Sequence, residues 1–443
     1  MTANKKQLFI CIALSLFLCF SQILGNTLLI LACLGSYLVV LAWGCWNNQA
    51  LLILLFFLPW SPLMRLSPTS YSFYTFGMVL SCCISMVRNN LKLKKYAVIA
   101  GFLLLLTTLL SKLLDGSSLQ FDYIAFIMMI VLFPVVKAAK DKQEYDFYQI
   151  VMYLSLGVII ASLCALNFAG YPTIRRFIRI DEYQTIIRRS GFYGDANFYV
   201  AQILAALGGA LSLTLQEKKR SRVVILMVTV LFLLYCGFLS GSKSFALVCA
   251  LLLLLWIIAT LKLRGRMGLK FMLLSCFLGA VIYIATSAMF GGLIEVIIER
   301  FSRSSDFDSF TTGRAGLWNS YVADILGDIK VFFLGRGFTN IKVNGKASHS
   351  TIIQIFYQFG LLGTPVIIYW IVGLFQSDKK ARLKRRKFGL NQLLVFVGSF
   401  IPWLALDIVF FDEFFLFQWY MIAAMTQFDE QETTGETSYP NQM

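Results

Sequence analysis

The chain of 443 residues consists largely of uninterrupted apolar runs, and no other feature narrows its possible folds so far. Residues 8–24 (LFICIALSLFLCFSQIL), 223–240 (VVILMVTVLFLLYCGFLS) and 271–290 (FMLLSCFLGAVIYIATSAMF) are three examples. A helix rises 1.5 Å per residue, so runs of about this length cross the roughly 30 Å hydrocarbon layer of a bilayer. In that layer backbone polar groups must be satisfied internally, which leaves helices and closed barrels. Barrel strands would read as short alternating segments, unlike these runs. Only 14% of residues are charged, where a soluble domain has about a quarter, and mean hydropathy is +0.73. The expectation is an all-α, polytopic integral membrane protein.

The pattern predicts about fourteen spans, at 8–24, 27–43, 50–64, 72–87, 96–114, 121–136, 147–168, 193–215, 223–240, 244–261, 271–290, 350–374, 390–408 and 411–427. Lys5 and Lys6 precede the first run as in a signal peptide. No small-x-small cleavage site follows and a second span begins at once, so it reads as a transmembrane helix. An even count puts both termini on one side. Loops on that side hold Lys5–Lys6, four cations over 88–95, three over 137–142, four over 218–222, four over 262–270 and seven over 379–387, together 24 of the 39 basic residues. By the positive-inside rule these loops are cytoplasmic. The net charge of +16 then reflects topology and anionic headgroups, with no call for nucleic acid. The ten cysteines all lie in or beside apolar runs, without metal-like spacing, and read as small buried hydrophobes. One membrane domain over 1–428 and an acidic, disordered cytoplasmic tail over 429–443 complete the organisation.

Two external connections are long, about 169–192 and 291–349, and long connections in compact proteins are commonly functional. The first carries Arg175, Arg176, Arg179, Arg188 and Arg189 with Asp181, Glu182 and Asp195 close by. Five outward arginines oppose the topology rule. An anionic ligand accounts for them, since guanidinium matches phosphate oxygens bidentately; headgroup contacts or local salt bridges account for them too. Asp195 and Asn197 open the next helix, where capping competes with a binding role. Lys243, in LSGSKSFALV (239–248), begins a helix whose free N–H groups point outward, or else snorkels from a turn.

In the second loop Thr311 or Thr312 can cap a helix starting near Gly313. Trp318, Val322, Ile325, Ile329 and Phe332 form its apolar stripe, with Asn319, Asp324 and Asp328 on the polar side, so that it lies along the membrane surface. Arg314 in the first turn opposes the helix dipole, a local conflict of the kind found at functional sites. Arg336 sits in the tight turn Gly335-Arg336-Gly337, which lacks the third glycine and the lysine of a phosphate loop. Asp306 and Asp308 are a weak metal pair, and Asp412 and Glu413 can pair with the loop arginines. His349, the one histidine of the chain, begins the next span on the same external side. It is an interfacial cap or a catalyst.

SGFYGDANFYVAQIL (190–204), LSGSKSFALV (239–248), TTGRAGLWNSY (311–321), LGRGFTN (334–340) and SHSTIIQIFYQFGLLG (348–363) occur in a characteristic order and topology. In this the chain resembles the O-antigen ligase and O-antigen/capsule polymerase (Wzy-type) superfamily, over about 175 residues. The resemblance implies a GT-C-type membrane glycosyltransferase at the outer face of the bacterial plasma membrane, needing no metal or other cofactor. Its donor would be an undecaprenyl diphosphate-linked oligosaccharide, and a chain-length regulator and a flippase of the same pathway would be its partners. Lys243 takes the place of an arginine, Arg314 matches the arginine of the Gly-Arg…Trp motif, and His349 matches the motif histidine, with Ser350 where asparagine is usual. The lysine supplies a point charge rather than a fork. An Arg-X15-Gly spacing known from some polymerases occurs at Arg175/Gly191 and Arg300/Gly316. In the implied chemistry Arg314 and Lys243 stabilise the departing diphosphate and His349 takes the proton of the attacking hydroxyl. The arginines at 175, 176, 179, 188, 189 and 336, with Asp195 and Asn197, hold substrate.

The arginine-laden first loop favours a polymerase over a ligase that hands polymer to lipid A core. A transporter would instead show ionisable residues at mid-helix and a two-fold repeat, and a non-catalytic assembly protein would leave the polar external layer unexplained.

Overall fold

The computed structural model of the chain describes residues 3–67, 70–118, 121–138, 145–178, 180–183, 186–262, 298–299, 301–302, 308, 311, 313–338, 342–376 and 389–435. Among the described residues eight helices are long and apolar enough to cross a membrane, and the protein is a multi-pass helical bundle. In chain order the helices are α1 (Ala3–Leu24), α2 (Thr27–Trp46), α3 (Ala50–Phe57), α4 (Phe73–Asn89), α5 (Lys95–Asp115), α6 (Phe121–Ala138), α7 (Phe147–Phe168), the one-turn α8 (Pro172–Arg175), α9 (Ala196–Gln216), α10 (Arg220–Leu239), α11 (Lys243–Lys262), α12 (Arg314–Gly327), α13 (Ile329–Leu334), α14 (Thr351–Gln376), α15 (Leu390–Phe400) and α16 (Asp412–Gly435). The eight candidates are α1, α2, α5, α7, α9, α10, α11 and α14. The expected span at 271–290 lies outside the described residues.

Several expected spans are not single α-helices, and proline or glycine is the reason. Pro59 and Pro62 turn the end of the 50–64 run into a 3₁₀ segment, Leu58–Leu63. Pro402 does the same for 390–408: α15 stops at Phe400, a 3₁₀ turn covers Ile401–Ala405, and 406–411 runs irregularly to α16. A proline lacks the N–H the α ladder needs and its ring crowds the preceding turn. The 350–374 run is broken at Gly360, whose φ of +63° is left-handed. At its far end the bundle departs from expectation as well: α16 continues to Gly435, so the first acidic residues of the tail are helical rather than disordered.

The centre of the bundle is α9. Nearly all its side chains are buried, and it packs on α7, α10 and α15. Its run of small residues makes this possible. A Cβ on Gly398 of α15 would lie 2.3 Å from the Leu204 carbonyl oxygen, so the two backbones approach as closely as helices in membranes do over small residues.

Polar contacts gather at two ends. At one, Arg222 pairs with Asp146 (3.3 Å) and Glu217 (3.2 Å), and Arg88 donates to the Cys45 carbonyl. At the other, Lys330 pairs with Asp115, Arg176 donates to Gln22 Oε1 (3.2 Å) and Thr75 donates to Asp412 (3.0 Å). Each contact joins segments that the alternation of spans puts on one side.

The first long connection is not featureless: after α8 it forms a two-stranded antiparallel hairpin, β1 (Ile180–Tyr183) with β2 (Ile186–Arg189), in which Asp181 stands opposite Arg188. The alternation of spans puts it at the second end, as it does α12 and α13.

Candidate active site

The second end is organised around the outer terminus of α9. Asp195 caps that helix, its Oδ1 accepting from the Asn197 N–H at 2.7 Å, so the capping alternative holds for Asp195. Asn197 reaches sideways: its Oδ1 accepts from the hydroxyls of Ser242 (2.9 Å) and Ser244 (3.3 Å). This ties the turn bearing Lys243 to the α9 cap. α11 starts at Lys243 as the sequence suggested, and the Lys243 ammonium lies 5.7 Å from the Phe301 ring centre.

Arg314 is the first residue of α12, behind Gly313 at φ +77°. Its conflict with the helix dipole has a local remedy. Asp308 Oδ1 accepts from the Gly316 N–H at 2.9 Å, and Thr311 Oγ1 from the Ala315 N–H at 3.2 Å. A carboxylate at the helix start offsets the cation beside it. Asp308 is thus a helix cap, and Asp306 and Thr312 lie outside the described residues.

The expected apolar stripe holds at Ile325 and is shifted by one position at Trp318 and Val322. Leu317, Tyr321 and Ile325 are the buried face of α12, packed with Val331 and with Tyr357 of α14, while Ile329 is 78% exposed. The single helix read from sequence also ends at Asp328, which caps α13.

His349 occupies a turn that links this layer to α14. Its backbone is left-handed, φ +50°, a state that costs a non-glycine residue about 1–3 kcal/mol. Asp407 holds it there. The Asp407 carboxylate accepts from the His349 N–H (2.9 Å), the Ser350 N–H (3.1 Å) and the Ser348 hydroxyl. Thr351 Oγ1 donates to the Leu406 carbonyl and accepts from the Ile408 N–H, extending the clamp. From the other side Trp318 Nε1 donates to the Ser348 carbonyl at 3.0 Å, and Tyr321 Oη to that of Lys346 at 2.9 Å.

Burial lowers the affinity of the half-buried imidazole for a proton. Asp407 opposes that shift, Arg314 adds to it, Asp195 opposes and Lys342 adds. The net effect keeps His349 below its ordinary pKa and therefore neutral near pH 7. Arg314 and Asp195, far apart in sequence, both act on its ring electrostatically. A half-buried imidazole of lowered proton affinity, in the field of a guanidinium and of two carboxylates, can accept a proton while anionic charge develops nearby.

Other candidates are placed elsewhere. Arg336 pairs with Asp324 (2.8 Å) and Asp328 (3.7 Å), and its N–H donates to the Tyr357 carbonyl. With Gly337 N–H on the Gln358 carbonyl, this turn takes up carbonyls freed by the break in α14. Arg175, the last residue of α8, and Arg176, its C-cap, are exposed near the end of α1, and Arg176 also covers the Phe177 ring. Among the described residues no contact brings them to the His349 turn. Arg189 is half-buried at the end of β2, Arg188 is described as backbone only, and Arg179 and Arg300 lie outside the described residues. Among the described residues Asp412 and Glu413 have other partners than the first loop's arginines: Glu413 is buried, accepting from Tyr193 Oη (2.9 Å) and Gln202 Nε2 (2.8 Å), while Asp412 accepts from Thr75.

Asp407 escaped the sequence reading because it lay in a presumed helix. An aspartate within an apolar run, five residues after Pro402, was the available signal. No family model matches this chain, and no curated protein is similar to it.

Proposed function

We propose that the chain is a membrane glycosyltransferase that polymerises lipid diphosphate-linked oligosaccharide repeat units at the outer face of the bacterial plasma membrane, building O-antigen, capsule or exopolysaccharide. What carries this reading is the Asp407-clamped turn that presents neutral His349 within the field of Arg314. An acceptor sugar hydroxyl attacks the anomeric carbon of the donor, the bond from that carbon to the diphosphate oxygen breaks, and the electron pair leaves with the lipid diphosphate. His349 accepts the hydroxyl proton. Arg314, with Lys243 of the turn bonded to Asn197, stabilises the charge growing on the diphosphate. Loss of such stabilisation typically lowers the rate about 100- to 1000-fold, and loss of the base about 100- to 10,000-fold. Exposed Arg175 and Arg176 are suited to gathering anionic donor and product before they reach the site.

In cells, Arg314→Ala and His349→Ala abolish polymer while single repeat units persist on lipid; polymer of normal length in both variants defeats the assignment. With purified protein, polymer made from one lipid-linked substrate alone marks a polymerase, and a requirement for lipid A core marks a ligase. Activity that survives EDTA supports a route without a metal.

A further inference from the structure

Phe338 takes no part in the chemistry above, yet its backbone is strained. It follows the turn Gly335-Arg336-Gly337 with φ at +35°. Glycine adopts positive φ freely, and the chain has it at 335 and 337. A phenylalanine there is a steric outlier, because its Cβ crowds its own backbone. The Phe338 ring is buried in an aromatic box. It meets Phe410 edge to face with ring centres 4.0 Å apart, and lies 4.9 Å from Tyr123 of α6. Phe126 of α6 and Phe359, the residue before the break in α14, stand 5.5 and 6.0 Å from Phe410. Tyr123 is itself held, its hydroxyl donating to the Leu104 carbonyl at 2.6 Å.

From Phe410 a short path leads to the site. Phe410 stands three residues after Asp407, in the irregular passage whose carboxylate grips the His349 turn. α14 fixes the backbone of that passage: Thr351 bonds Leu406 and Ile408, and Gln354 Oε1 accepts from the Val409 N–H at 3.3 Å. Phe338 adds a side-chain contact from the turn that Arg336 fastens to α12. We propose that Phe338 is a positioning residue: its ring, held on Phe410 despite a left-handed backbone, keeps Asp407 in register with the His349 turn. Strain at a bulky residue persists only where its surroundings over-determine it, and a packed aromatic contact resists displacement. Leucine at 338 keeps the strain and loses the ring contact, so the passage loosens at Phe410 and the carboxylate recedes. The part of Phe338 in sugar transfer rests on the reading of His349 as base; its coupling to Asp407 does not.

Because the chain has one histidine, carbon-13 labelling of histidine gives a single imidazole signal, and NMR titration of the full chain in detergent reads it without turnover. Burial lowers the proton affinity of that ring, Asp407 raises it, Arg314 lowers it, Asp195 raises it and Lys342 lowers it. Asp407→Asn therefore lowers the midpoint. Phe338→Leu lowers it too, by about half a pH unit, or about threefold in proton affinity. It adds nothing further once Asp407→Asn is present. Phe410→Leu, which opens the same contact from its other partner, has the same effect and decides the matter alone should Phe338→Leu fail to fold. In glycosyl transfer Phe338→Leu lowers kcat about tenfold and leaves the KM for lipid-linked donor unchanged. A midpoint that stays or rises in Phe338→Leu, a second full shift on top of Asp407→Asn, or an unchanged kcat overturns the proposal. If the midpoints move as described and the wild-type chain transfers no sugar, the positioning of Asp407 stands and the reaction assignment falls. If transfer depends on His349 and the midpoint ignores both phenylalanines, only the positioning falls.

Discussion

His349 combines two demands that conflict in most residues: a backbone in the left-handed region and a side chain able to exchange a proton near neutrality. Asparagine tolerates the same backbone but cannot act as a base, which makes His349→Asn the clean test. Transfer falls at least about 100-fold while the thermal midpoint stays near wild type, whereas His349→Ala loses activity and stability together. The pH profile follows from the surroundings. Because burial and Arg314 hold the imidazole below its ordinary value, the acid limb of kcat/KM lies below the usual histidine range, with a plateau above it. Asp407 works against that shift, so Asp407→Asn moves the acid limb to still lower pH; a limb that rises instead contradicts the assignment of His349 as base. By linkage, the same depressed pKa means that the contribution of His349 to stability is fully present above its unfolded value. That contribution is lost as pH falls through the folded one. The histidine was legible in the sequence because it is unique. Asp407 was not, because its partner backbone groups lie 57 and 58 residues away along the chain.

Helix placement was the most legible layer, since burial in hydrocarbon leaves a signal in every residue of a span. The interruptions were less so. Pro59, Pro62 and Pro402 announce themselves, but Gly360 does not, because a glycine in a membrane helix is as commonly a packing site as a break. What selects the break is a partner elsewhere: Gly335 and Gly360 meet backbone to backbone. A Cβ on Gly335 would lie 2.4 Å from the Gln358 carbonyl, and one on Gly360 would lie 2.5 Å from the Gly335 nitrogen. Both residues have positive φ. Gly360→Ala and Gly335→Ala therefore destabilise the detergent-solubilised protein by about 2 kcal/mol or more. Gly327→Ala, in open space, is close to neutral, and thermal unfolding monitored by aggregation separates the three. The one-position error at Trp318 and Val322 in the α12 stripe has a similar origin. Trp318 fitted the spacing, but its indole N–H is spent on the Ser348 carbonyl, and the buried face turns to Leu317 and Tyr321 instead.

At the scale of the whole molecule, the polar contacts sort into two ends, and the proposed topology assigns each a compartment. Alkaline phosphatase fused after Ser117 or Gly345 is active, and fused after Lys142 or Lys219 is inactive; the opposite pattern inverts the protein in the membrane and removes the site from the outer face. The site itself is divided between two bodies. Arg314 is borne by α12, which is packed on the first half of α14 and bonded to the His349 turn. Asp407 belongs to the irregular passage between α15 and α16, and Asp195 caps α9. The break at Gly360 separates the half of α14 that carries base and cation from the half that spans the bundle. Seen mechanically, cation and base share one bracket, so their mutual spacing is fixed by covalent and packed neighbours. The 406–411 passage meets that bracket at Asp407 and at Thr351, whose hydroxyl lies between the Leu406 carbonyl and the Ile408 N–H. A substrate wider or narrower than the natural one would be met by movement of that passage, with the distance from Arg314 to His349 left as it was.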